Sequence, residues 1–231
     1  MTLFNNPPMA SKSLRVLARL LGYPGAGLRG DLAALREALH GERALPQPRL
    51  AELDALIDSL ALAAPLDTEA VYVELFDRGR ATSLHLFEHV HGDSRDRGPA
   101  LIDLAQTYEK AGLFLAEGEM PDFLPVVLEF TSTQPQREAR EFLAEMAHIF
   151  NAIFSALQQR GSAYACVLGA LLELAGEKAQ PVQIAAEEPV DAVWEEPVVF
   201  DGCSSRGQVR PGQPQPIHIV RKGRPVEGAQ A

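Results

Sequence analysis

Two histidines at helical spacing are the residues in this chain best suited to chemistry. His85 and His89 lie four positions apart, so in a helix they would share one face, as two ligands of a helical metal site must. The spacing resembles the HExxH motif of zinc proteases, but Leu86 occupies the position where that motif needs a glutamate. A third ligand would have to come from His91, Asp93 or Asp96. One candidate function, kept below as the alternative, is therefore a metal-dependent hydrolase using His85, His89 and Asp93. Hydrogen-bonded histidines at a helix edge explain the same pattern, and this structural interpretation is favoured.

Other patterns for catalysis or nucleotide binding are incomplete. The glycine-rich run GYPGAGLRG (22–30) lacks the lysine and the preceding strand of a phosphate-binding loop. There is no GxSxG sequence, and the two cysteines, Cys166 and Cys203, have no metal-binding spacing. We therefore predict no catalytic residue, no metal and no cofactor.

The composition argues against several classes of partner. The 231 residues include 31 acidic and 21 basic side chains, which give a formal net charge of −10. Nucleic acid and anionic membranes both need a basic face, so neither is expected as the main partner. No segment approaches the roughly 20 uninterrupted apolar residues of a membrane span, and residues 1–13 lack the apolar run of a signal sequence. The prediction is a cytoplasmic protein without membrane insertion.

Helical periodicity dominates from residue 11 to about residue 175. Apolar residues recur every three or four positions in successive segments. One such stripe contains Val71, Leu75 and Phe76, and the clearest runs from Phe142 to Leu157. Thr133 and Gln136 fit a capping box ahead of that stripe. No sustained two-residue alternation or hairpin signal occurs. The predicted fold is all-α, a compact single-domain helical bundle of about eight or nine helices.

The composition changes at the carboxyl-terminal end. Residues 176–231 contain seven of the 17 prolines and little helical periodicity. Such a stretch cannot bury enough apolar surface to offset the entropy lost on ordering. We predict a flexible amino terminus at 1–10, a helical domain at 11–175 and a disordered, proline-rich tail at 176–231. The single tryptophan, Trp194, lies in this tail, where a docking anchor is the favoured interpretation.

Two longer runs carry a family resemblance. The first signature segment, YVELFDRGRATSLHLFEHVHGDSRDRGPALIDL (72–104), resembles that of the nitrate reductase molybdenum cofactor assembly chaperones of the NarJ type. The second signature segment, PDFLPVVLEF (121–130), resembles the family's second signature, and the likeness extends over about residues 13–175. The signature or peptide-binding positions that the resemblance implies are Tyr72, Phe76, Arg78, His85, Phe87, Glu88, His89, Asp93, Arg97, Pro121, Asp122, Leu124, Pro125, Leu128 and Glu129.

The resemblance implies an all-helical redox-enzyme maturation chaperone, related to those serving trimethylamine-oxide and dimethyl-sulfoxide reductases. Members bind the apo form of the catalytic (alpha) subunit of nitrate reductase, including its N-terminal peptide, a remnant of a twin-arginine-type signal. They keep it competent for molybdenum cofactor insertion and are absent from the final enzyme, and the insertion machinery is a further candidate partner. Some relatives carry an Asp-His pair in the second signature. Here Phe123 follows Asp122, which argues against a nucleotide role.

The residues themselves are compatible with peptide binding. A helical bundle with apolar stripes can hold an amphipathic peptide helix in a groove. An acidic surface would favour a peptide with Arg or Lys, chiefly through faster association. A structural subunit of the reductase is the remaining alternative, and the absence of a cofactor-ligating pattern in the sequence disfavours it.

Overall fold

The computed structural model describes residues 10–92 and 94–180. Within them the only β pairing is an isolated antiparallel bridge between His85 and Phe123. None of the helices in these ranges has the length and hydropathy that a membrane-spanning helix requires. A π-helical segment (Val73–Asp77) and a 3-10 turn (Arg80–Thr82) separate α4 from α5. The ten α-helices of the described residues are α1 (Ser11–Leu20), α2 (Ala26–Glu42), α3 (Gln47–Leu62), α4 (Pro65–Tyr72), α5 (Leu86–His91), α6 (Arg97–Lys110), α7 (Leu124–Thr133), α8 (Gln136–Glu145), α9 (Ala147–Gln159) and α10 (Ala165–Ala175).

The predicted all-α class is confirmed. The predicted flexible amino terminus and the proline-rich tail, with Trp194, lie almost wholly in residues 1–9 and 181–231, which are outside the described residues. The domain limits at 11 and 175 therefore stay a prediction.

Helix α10 forms the centre of the hydrophobic core. Its sequence ACVLGALLELA is apolar on nearly all sides, which is typical of a helix enclosed by other helices. Ten of its eleven residues are buried, and it packs against α1, α3, α8 and α9. The exception, Glu173, forms an ion pair with Arg49 of α3 at 3.0 Å. Burial raises the pKa of Cys166 to about 12, so this thiol stays protonated and serves as a packing residue.

The clearest apolar stripe in the sequence belongs to two helices rather than one. Met146 joins α8 to α9 with φ −92° and ψ 0°. Its N–H donates to the carbonyl of Leu143 at 3.2 Å, the spacing of a 3-10 turn, and its own carbonyl accepts the N–H of Phe150 at 3.1 Å. Leu143 and Phe150 are both fully buried, so the apolar pattern continues across the break. This division is one reason why residues 10–92 and 94–180 form ten helices where about eight or nine were predicted.

The predicted capping box at the start of α8 is wrong. The residue before the helix is Pro135, and no side chain caps this end. The Thr133 hydroxyl instead donates to the carbonyl of Phe130 within α7. Thr133 thus ends one helix, and the proline starts the next because its fixed φ suits that position.

Helices α4 and α6 each bury a single residue, a tyrosine, against the rest of the domain. Tyr72 is the buried residue of α4 and Tyr108 that of α6. The Tyr72 hydroxyl donates to the carbonyl of Leu21 and the Tyr108 hydroxyl to that of Pro121, both at 2.8 Å. Burial raises the pKa of both hydroxyls, so both remain protonated donors. Val71, predicted as part of a core stripe, is 53% exposed because α4 lies at the edge of the core.

Candidate functional site

A buried carboxylate connects the two signature segments. Asp122 in the second segment is fully buried. Its Oδ1 lies 3.3 Å from Nδ1 of His85, and its Oδ2 accepts the backbone N–H of Phe87 at 3.2 Å. The guanidinium of Arg97 lies 3.8 Å from the same Oδ2. These two hydrogen bonds and the nearby positive charge, all from the first segment, offset the cost of removing a carboxylate from water.

Backbone pairing fixes the position of that carboxylate. Leu86 donates its N–H to the carbonyl of Asp122 at 3.0 Å, and Leu124 donates to the carbonyl of Leu84 at 2.8 Å. Between them His85 is extended, with φ −86° and ψ 104°, and it is the N-cap residue of α5. The Asp122 carboxylate therefore satisfies a free N–H of the first turn of α5, the task usually done by a capping side chain.

Glu88 of α5 extends these contacts. We call the group formed by Ser83, His85, Glu88, Arg97 and Asp122 the signature network. One oxygen of the Glu88 carboxylate accepts from Nη2 of Arg97 at 3.2 Å, and the other accepts from the Ser83 hydroxyl. His89 Nε2 donates to the carbonyl of Ser83 at 2.9 Å. Arg97 begins α6, so α5, α6 and the loop before α5 are tied together through one glutamate and one arginine.

The predicted helical face shared by His85 and His89 is wrong, because the pairing with residues 122–124 keeps His85 outside the helix. Each ring uses one nitrogen as a donor to a protein oxygen, namely a carboxylate for His85 and a carbonyl for His89. Among residues 10–92 and 94–180 no group of three or more His, Cys, Asp and Glu side chains could hold a metal ion. Asp93, the third residue of the hydrolase alternative, lies outside these ranges. The described part of the chain therefore offers no geometry that supports the hydrolase.

The network raises the pKa of His85 above its ordinary value of 6.5. The largest cause is the hydrogen bond to Asp122. The charges of Asp122 and Glu88 act in the same direction, while desolvation and the charge of Arg97 oppose them. The charged imidazolium is thus favoured in the folded state, and Phe123, whose ring centroid lies 5.3 Å from that of His85, covers one side of it.

This linkage gives a pH dependence of stability. Because the folded-state pKa of His85 is raised, its contribution is fully present below about pH 6.5 and is lost as pH rises through the folded-state pKa. We expect Asp122→Asn to lower the pKa of His85, measured by NMR titration of its ring proton, and to flatten the stability profile across this window. The exposed His148 provides a reference signal. An unchanged titration of His85 in Asp122→Asn would show that the carboxylate does not control it.

The structure divides the signature residues by exposure, and their role in peptide binding stays a prediction. The buried members are Tyr72, Phe76, Pro121, Asp122, Leu124, Pro125 and Leu128. The half-buried members, all near the network, are His85, Phe87, Glu88, His89 and Arg97. The exposed members are Arg78 and Glu129, and Asp93 is not described. The buried members can influence a client only through the shape of the domain, whereas the others are open to contact.

One surface, to which the first signature segment contributes Val73, Glu74 and Arg78, was missed by the sequence analysis. It is a cleft of about 650 Å³ beside α4, lined by Tyr23, Leu66, Glu69, Ala70, Val71, Val73, Glu74 and Arg78. The sequence signal was present, because apolar and acidic residues alternate irregularly in PLDTEAVYVELFD (65–77) and leave no consistent polar face. We call this region the α4 surface.

The chain is similar in sequence and in fold to known proteins. Residues 27–168, which include both signature segments, match the family model described as nitrate reductase delta subunit. The nitrate reductase molybdenum cofactor assembly chaperone NarJ of Escherichia coli (strain K12) is 43% identical over 193 residues, covering 79% of this chain and 82% of the relative. NarW of the same strain is 39% identical over 193 residues, covering 79% and 80%. A crystal structure of a redox enzyme maturation protein from Archaeoglobus fulgidus has a TM-score of 0.52 at 18% identity, over 77% of this chain and 100% of that one, and shows a shared fold.

Proposed function

The chain belongs to the nitrate reductase delta subunit family, and from this premise we propose that it is a molecular chaperone dedicated to a molybdenum-containing nitrate reductase. It binds the apo catalytic subunit, keeps that subunit competent for cofactor insertion and complex assembly, and is not part of the final enzyme. The observation that carries this proposal is the 43% identity to an assembly chaperone across 82% of that chaperone's length.

The chemistry of the signature network supports binding rather than catalysis. Its charged groups are engaged with one another: Asp122 with His85 and Arg97, and Glu88 with Arg97 and Ser83. A general base or a nucleophile needs a lone pair or proton directed at a substrate. We infer that this network instead holds α5, α6 and the second signature segment in one arrangement, and that the chain performs no reaction of its own.

The proposed client region includes the N-terminal peptide of the catalytic subunit. An excess of acidic side chains, with a formal net charge of −10, favours encounter with a segment that carries Arg or Lys. The half-buried signature residues in and next to α5, among them Phe87, are proposed to contact a further part of the client. The site of action is proposed to be the cytoplasm, where the resemblance places the apo subunit.

Affinity purification tests this function. The tagged full-length chain is expressed in nitrate-respiring cells, once with an intact molybdenum cofactor pathway and once with that pathway blocked. We expect the catalytic subunit to co-purify, and in larger amounts from the blocked cells, because apo subunit accumulates there and mass action favours the complex. Recovery of the complete, cofactor-loaded enzyme with stoichiometric chain would instead favour the structural-subunit alternative. Absence of the catalytic subunit from both samples would contradict the chaperone proposal.

A further inference from the structure

Helix α4 exposes apolar side chains that a surface helix normally buries. Only Tyr72 of its eight residues is buried. Leu66 is 77% exposed and Val71 53% exposed, and Leu62 at the end of α3 is 87% exposed. A group of neighbouring exposed apolar side chains of this kind often marks a surface that binds another molecule.

Concave surfaces flank α4 on both sides. One is the 650 Å³ cleft of the α4 surface, which Leu66 and Val71 line together with Tyr23. The other has a volume of about 360 Å³ and shares Val71, which lies there with Leu60 and the 160–164 loop. Clefts beside an exposed apolar helix can accept the apolar side chains of a second helix.

Three carboxylates, those of Asp67, Glu69 and Glu74, and two guanidinium groups, those of Arg78 and Arg160, line the two clefts. Within the described ranges, neither Asp67 nor Glu69 forms an ion pair, although Glu69 accepts the hydroxyl of Tyr23 at 2.9 Å. Glu74 pairs with Arg78 across one helical turn at 3.3 Å, and both side chains are largely exposed. An apolar cleft bordered by unpaired carboxylates complements a ligand that has cationic groups next to apolar ones.

The backbone that follows α4 is a further unusual feature. Val73–Asp77 is the one π-helical segment among the described residues, closed by the N–H of Arg78 to the carbonyl of Val73 at 3.1 Å. π-helical segments are rare in proteins, and those that do occur are often found at functional sites. This one adjoins the cleft and places Glu74 and Arg78 at its border.

We propose that the α4 surface is the docking site for a basic, amphipathic peptide helix. The apolar side of the peptide covers Leu66 and Val71. Its cationic side chains pair with Glu69 of this surface and with Asp67 of the neighbouring cleft. Under the proposed function, on which this inference rests, the peptide is the N-terminal segment of the catalytic subunit. The chemistry excludes an acidic or purely polar ligand, because such a ligand would leave the apolar residues exposed and the carboxylates unpaired.

The apolar part is tested by anisotropy with the full-length chain and a fluorescent peptide comprising the N-terminal segment of its cognate catalytic subunit. We expect the double variant Leu66→Ser/Val71→Ser to bind about ten-fold or more weakly, because two apolar side chains no longer contribute to the buried area. Ile102→Ser is the matched control, since Ile102 is 59% exposed on α6, away from α4 in the sequence. Its affinity should equal that of the wild type.

The charged part is tested by Asp67→Asn/Glu69→Gln, in which the amide oxygen introduced at position 69 can still accept the Tyr23 hydroxyl. We expect a few-fold slower association at low salt, and a difference that disappears as salt screens the charges. Glu138→Gln/Glu145→Gln on α8 removes the same charge from exposed positions and is the control. Equal loss in both double variants would mean that only net charge matters, which would contradict a defined site.

The remaining outcomes separate this inference from the proposed function. If the wild type binds the peptide and the α4 variants bind it equally well, the site is wrong while the chaperone function stands. If the wild type does not bind the peptide, the inference fails, and the affinity purification of the whole subunit decides whether the function survives. A photo-crosslinking residue at position 66 should label the peptide. Labelling of residues 181–231 or of a second copy of the chain, with the peptide present, would overturn the proposal.

Discussion

Replacing Asp122 with alanine is expected to lower the free energy of unfolding by about 3 kcal/mol. The carboxylate is fully buried and has His85, Arg97 and the N–H of Phe87 as partners. Its removal leaves a partly buried arginine without one counter-charge and a free N–H at the first turn of α5. Removing one partner of a buried ionic group is far more costly than removing a surface charge.

Denaturant unfolding measures this effect directly, and thermal unfolding should show a decrease in Tm of roughly 6 to 12 °C for a domain of this size. Asp103→Ala is the matched control because Asp103 is exposed on α6 and its carboxylate has no partner among the described residues. The control should stay within about 0.5 kcal/mol of the wild type. A loss below about 1 kcal/mol in Asp122→Ala would contradict the account of Asp122 as the link between the signature segments.

The sequence was sufficient to predict the helical class, because a period of three to four residues is a local property. It could not predict that Asp122 and His85 meet, since 37 positions separate them and neither lies in a periodic apolar pattern. It also placed His85 inside a helix, because spacing alone cannot show that residues 122–124 pair with its backbone. Only the tertiary structure shows that contact.

The sequence also did not reveal the break between α8 and α9 at Met146. The apolar repeat continues through residue 146, and a single 3-10 turn leaves no mark on the pattern. The exposure of Val71 was missed because a change of helix type alters the positions of the side chains there. Its position fits a stripe with Leu75 and Phe76, but the π-helical segment begins at Val73 and shifts the register between them. Changes in helix type are therefore what periodicity failed to predict.

The largest functional effect is expected from removing the chain altogether. Without it, the catalytic subunit should be made but should remain largely free of molybdenum cofactor. A partner present at about 100 times its Kd stabilises the bound form by about 2.7 kcal/mol, or about a hundred-fold. Loss of that stabilisation lets the apo subunit leave the insertion-competent state before the cofactor arrives. Expression of the wild-type chain or of the Asp103→Ala control should restore the cofactor content of the catalytic subunit, and Asp122→Ala should restore it only partly.

The most direct test is the molybdenum content per catalytic subunit, measured by elemental mass spectrometry on subunit purified from cells with and without the chain. The cells are grown with sufficient molybdate, and the amount of subunit protein is determined in parallel. We predict a large decrease in molybdenum per subunit without the chain, and recovery on complementation. Equal molybdenum content in the two subunit preparations would contradict the assignment of this protein as a cofactor assembly chaperone.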